Sequence, residues 1–133
     1  MKTELILVGK TNDKHFQAGI DDYCQRIGHY MPFSITVIPE LKNTKSLSFQ
    51  QQKEREGELI LAKLQSSDHV VLLDEHGNDF RSVEFARWIE QKNASVRRLV
   101  FVIGGPYGFS ETVYSRANEK ISLSKMTFSH QMV

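Results

Sequence analysis

Three short stretches carry the residues with chemistry in them. Gly104-Gly105-Pro106-Tyr107-Gly108 follows an apolar run at 99–103 and precedes Ser110, a residue type that caps helices. Three glycines in five positions at the end of a buried strand bring main chain close to something: protein, phosphate or cofactor. Asp74-Glu75-His76-Gly77-Asn78-Asp79 gathers carboxylates and an imidazole behind a second apolar run, 69–73. Leu123-Ser124-Lys125-Met126-Thr127-Phe128-Ser129-His130 places hydroxyls, a thioether and a ring ahead of a histidine.

Spacing narrows what each stretch can do. A dinucleotide fingerprint belongs after the first strand, with an acidic residue about 20 positions on, and these glycines follow the fourth strand and are broken by Pro106. No G-x-x-x-x-G-K-[ST] loop occurs anywhere, so a phosphate cradle is disfavoured. The plain reading is a tight strand-to-helix turn that needs positive φ. The 74–79 cluster matches neither an EF-hand loop nor a zinc helix and reads as polar turn chemistry, with no metal. Leu72 and Leu73 just before it offer an apolar wall. The 123–128 loop combines polar main chain with apolar side chains, which suits a flat neutral ligand such as adenine with an amino-acid tail. Its plain reading is a loop packing its own Met and Phe.

Alternating elements must hold these stretches. Residues 4–8 read as a strand closed by Gly9, and 13–29 repeat apolar residues (Phe16, Ile20, Tyr23, Cys24, Ile27) at helical spacing. The β-branched run 33–38 reads as a second strand ended by Pro39. Ser48 with Gln51 has capping-box spacing at the head of a charged helix reaching about residue 65. Strands at 69–73 and 99–103 lack alternation, so both faces of each are buried. Helices at 82–93 and 110–118 and a short strand at 121–123 complete the pattern. The expected fold is α/β: three layers, a mostly parallel sheet with helices on both faces. Ligands collect at the carboxyl ends of such strands, where all three stretches fall.

Composition excludes several classes. At 133 residues, with 40% apolar and 25% charged residues, the chain reads as one domain spanning 1–133. A net charge of +1 gives no global basic field, so a nucleic-acid partner requires local charge or oligomerisation. The lone Cys24 reads as a small buried apolar residue in a reducing compartment. No targeting or membrane-spanning stretch is visible, which points to the cytoplasm and no membrane partner.

In combination, L-L-D-x-x-G, V-I-G-G-P-x-G-F-S and I-S-L-S-x-M-T-F-x-H, with I-L-V-G-K and M-P-F-x-I near the start, resemble the SPOUT methyltransferases along the whole chain. The nearest resemblance is to the ribosomal large-subunit methyltransferase H family. It implies a deep trefoil knot in the carboxyl-terminal part of the sheet, enclosing S-adenosylmethionine. The implied cofactor contacts are Leu73, Gly104, Leu123, Ser124, Lys125, Met126, Thr127 and Phe128, with no metal. The implied reaction is methylation of N3 of a pseudouridine in 23S rRNA, within the large ribosomal subunit or the 70S ribosome, by a homodimer. His130 is the candidate catalytic residue, to orient the base or take its proton, and Arg81 a candidate phosphate grip. The family continues past the H-x-x-V position with a knot-closing helix and a Tyr/His tail, so a chain stopping at Val133 reads as truncated at its carboxyl terminus. The alternative class is a non-catalytic α/β nucleotide- or RNA-binding module.

Overall fold

In the computed structural model, which describes residues 1–9 and 13–123, strands and helices alternate as expected. The strands are β1 (Lys2–Val8), β2 (Phe33–Ile38), β3 (His69–Asp79), β4 (Arg98–Ile103) and β5 (Glu119–Ser122). The helices are α1 (Lys14–Gly28), α2 (Phe49–Leu61), α3 (Ser82–Ser95) and α4 (Glu111–Arg116). All five strands join one sheet in the order β2-β1-β4-β3-β5, and every pairing is parallel. The sheet is therefore wholly rather than mostly parallel among the described residues.

Apolar residues on successive strand positions point to opposite faces, so an unbroken apolar strand needs cover on both. Val70 and Leu72 of β3, with Val100 and Val102 of β4, pack beneath Ile60 of α2 and Val113 of α4. Val71 and Leu99 face the other way, against Trp88 of α3. Phe80, Phe85 and Phe101 surround Trp88, the Phe85 ring stacked on it at 5.7 Å between centroids.

Side-chain caps set the helix starts. The Asp13 carboxylate accepts from the His15 and Phe16 amides, Ser48 and Gln51 form the reciprocal capping box, and Ser110 Oγ accepts from the Val113 amide. Each cap lies just outside the helix it begins, so α1 and α4 start one residue later than the sequence pattern suggests, and α2 starts where its capping box placed it.

Helix α1 departs from expectation, because it buries no residue. Cys24 is only half-buried; burial, then the charge of Asp21, pushes its thiol upward and away from the reactive thiolate.

Candidate functional site

Strands β4, β3 and β5 are neighbours in the sheet, and three of the expected contact residues lie on them: Gly104 and Leu123 just past the carboxyl ends of β4 and β5, Leu73 mid-strand in β3, before its bulge. Leu73 pairs with Ile121 across the β3–β5 ladder and packs half-buried against the Trp88 core. Gly104 follows the last residue of β4, and Leu123 follows the last of β5 with 58% of its surface exposed. Ser124, Lys125, Met126, Thr127, Phe128 and His130 lie outside the described residues, as does the chain segment on which the expected knot depends.

The glycine stretch is a turn with named neighbours. The Gly108 amide donates to the Gly105 carbonyl at 3.1 Å, Pro106 and Tyr107 form the tip, and Gly108 has φ +82°. The positive-φ requirement read from the sequence is met at Gly108. The close approach at Gly104 is to protein: a Cβ there would lie 2.9 Å from the ring of buried Phe109. The Gly105 amide is held from another side, donating to Glu56 Oε1 of α2 at 3.0 Å. Phe109 falls within the V-I-G-G-P-x-G-F-S stretch, but nothing in the local sequence marked Glu56, whose contact joins residues 49 apart.

The 74–79 stretch is not a loop beyond the strand end, as its polar composition suggested. Strand β3 continues to Asp79, and residues 74–77 bulge out between two pairings with the same residue, Leu73 with Ile121 and then Asn78 with Ile121. Gly77 permits this, since a Cβ there would stand 2.6 Å from the main chain of Lys120 and Ile121. Asp74 accepts from the His76 amide at 2.8 Å and from the Tyr114 hydroxyl. Burial, then the hydrogen bond to Asp74 and its charge, push the Tyr114 phenol well above its ordinary range. A cleft of about 590 Å³ opens beside the bulge, lined by Asp74, His76, Asn78, Tyr114, Glu119 and Lys120 among others. None of Leu73, Gly104 and Leu123 lines it. Arg81 projects into solvent at the head of α3 with Glu84 as its neighbour, at 3.9 Å.

Chemically, the ends of β4 and β5 present the exposed Leu123 and a stretch of main chain without a side chain at Gly104. Apolar surface beside main-chain polar groups suits a flat heterocycle and an amino-acid tail better than a polyphosphate. Among the described residues no three His, Cys, Asp or Glu side chains come together as a metal site.

A wholly parallel sheet flanked by helices defines an α/β scaffold, and the family comparison gives its class. A family model described as "Predicted SPOUT methyltransferase" matches residues 1–133, and the chain belongs to that family: it is a methyltransferase. Within the family it is similar to proteins called ribosomal RNA large subunit methyltransferase H. Those of Bacteroides fragilis and Bacteroides thetaiotaomicron are each 63% identical to it, over all of this chain and 85% of the relative. That of Flavobacterium johnsoniae is 56% identical over the same shares.

Proposed function

We propose that this chain transfers a methyl group from S-adenosylmethionine to large-subunit ribosomal RNA, at N3 of a pseudouridine in 23S rRNA. The observation that carries the reading is 63% identity along the whole chain to relatives named for methylation of that RNA. Membership of a methyltransferase family weighs against the non-catalytic alternative.

When bound, S-adenosylmethionine supplies a methyl already activated on a sulfonium. The chain's own tasks are then positioning and the handling of one proton. Leu73 and Leu123 would wall the donor, with the main chain at Gly104 beside them, and residues 124–128 would complete the set. N3 must lose a proton as it takes the methyl, and His130 is the group we assign to orient the base or accept that proton. The target base has to leave its stack to reach the strand ends. With a net charge of +1, one copy has little field for RNA, so we assign a homodimer that pools basic side chains. Work on ribosomes places the protein in the cytoplasm in this reading, and among the described residues no helix is long and apolar enough to cross a membrane.

The test is labelled methyl transfer to 70S ribosomes, 50S subunits and naked 23S rRNA from cells lacking the gene, with the modified nucleotide mapped by mass spectrometry. Methyl on N3 of a 23S pseudouridine is expected. Methyl on another nucleotide would refute the specificity, and no transfer to any of the three would refute the substrate. Sedimentation of an active monomer would refute the homodimer.

A further inference from the structure

Two aromatic rings lie stacked on the surface beside the glycine turn. Phe49, the first residue of α2, and Tyr107, at the tip of the 105–108 turn, have centroids 4.3 Å apart and planes inclined by 18°. Both are exposed, Phe49 at 64% and Tyr107 at 44%, so their mutual contact leaves ring surface open to water. Local sequence explains the pose. The Gly105–Gly108 hydrogen bond turns the tip outward, and the Ser48–Gln51 capping box fixes the first turn of α2, from which Phe49 projects.

Lysines flank Phe49 in the chain, while the nearby carboxylates of α2 accept hydrogen bonds, Glu54 from Gln50 and Glu56 from the Gly105 amide. Residues 41–53 carry Lys42, Lys45 and Lys53 and no acidic residue, in a chain whose net charge is only +1. Lys53 is four positions after Phe49, on the same face of α2. None of these lysines makes an ion pair among the described residues. Open ring faces and lysines close by in the chain are the two ingredients of single-stranded nucleic-acid binding: bases stack and phosphates are neutralised. A purely apolar protein partner would leave the lysines without a role.

We propose that Phe49 and Tyr107 form a platform on which an unpaired base of the RNA stacks, with Lys42, Lys45 and Lys53 holding its phosphates. The proposal rests on RNA being the substrate. It adds where an unpaired nucleotide is gripped: next to the glycine turn, at the end of the sheet where the methyl is presented.

The test measures binding of a fluorescein-labelled single-stranded RNA of about ten nucleotides, within the usual site sizes. Phe49→Ala and Tyr107→Ala should each weaken binding roughly tenfold, while S-adenosylmethionine affinity and thermal melting stay near wild type. Phe49→Trp, which preserves stacking, should bind at least as tightly as wild type and lose indole fluorescence when RNA is added. Affinities within about twofold of wild type for both alanine variants would overturn the platform. So would conversion of a dimer to a monomer by either variant, which would make the rings a contact between copies. Because this readout is oligonucleotide affinity, it can fail while methylation of ribosomes succeeds, and the reverse.

Discussion

At Gly104 the demand of packing can be tested apart from the cofactor contact proposed for it. Its missing Cβ leaves room for the Phe109 ring, a core member next to the cap of α4. A valine there must push that ring, and overpacking of this kind costs about 1–3 kcal/mol. Gly104→Val is therefore expected to lower the urea midpoint as well as cofactor affinity. Gly104→Val with Phe109→Leu, which restores volume, should recover part of the stability while leaving cofactor binding impaired. Recovery of both would show that the glycine serves only the core. His130 calls for a different measurement, because its proposed work is confined to the proton. His130→Ala should lower methyl transfer to ribosomes at least about tenfold with S-adenosylmethionine affinity nearly unchanged, within the usual range for general acid–base help. Equal losses in rate and binding would mark a structural role instead.

At the scale of elements, legibility followed whether the deciding contact was local. Strand β2 runs from Phe33 to Ile38, the bounds its β-branched run implied, and α2 begins at the capping box that Ser48 and Gln51 announced. Such signals act within a few residues, so a sequence displays them. The end of β3 was hidden for the opposite reason. Asp74 to Asp79 has the composition of a turn, yet Asn78 and Asp79 find partners in Ile121 and Ser122, more than 40 positions away, and the strand resumes. The same limit concealed Glu56 beneath the glycine turn and the half-buried setting of Cys24. The glycine turn after β4 was legible by type and strand position, but what shapes the cleft was not: Tyr114 completes the 74–79 wall from another element. Gly77 is the hinge of that bulge. Gly77→Ala would set a methyl 2.6 Å from main chain that cannot swing away as a side chain can, so a loss of about 3 kcal/mol is expected. Hydrogen exchange should show the β3–β5 ladder opening first; a stability change under about 0.5 kcal/mol would mean the bulge relaxes freely.

Over the whole molecule the two ends of the sheet do different work. The glycine turn and the β3 bulge lie toward the carboxyl ends, whereas the amino ends are tied by two carboxylates. Glu4 of β1 accepts from Ser34 and Thr36 of β2 and from Arg98 of β4, whose guanidinium also reaches Asp68, beside the start of β3, at 2.8 Å. Glu119 of β5 meets His69 of β3 at 2.6 Å, and Lys92 and Trp88 of α3 at 3.0 and 3.1 Å. Together they join all five strands in the sheet order. Burial alone would raise both glutamates, but the hydrogen bonds and neighbouring cations outweigh it and hold each below its ordinary value. A carboxylate depressed in the folded state binds fewer protons there than in the unfolded chain, so it adds stability above the ordinary glutamate pKa of about 4.3. That contribution is lost progressively as pH falls from there through the folded pKa. Folding stability from urea titrations should thus drop as pH is lowered from about 5 to 3. Glu4→Gln and Glu119→Gln should each lower stability at pH 7 and flatten the acid limb, because the group that titrates is gone. An acid limb unchanged in the double variant would place the acid sensitivity in other carboxylates, and the amino-end clusters would then serve strand order without setting the pH range.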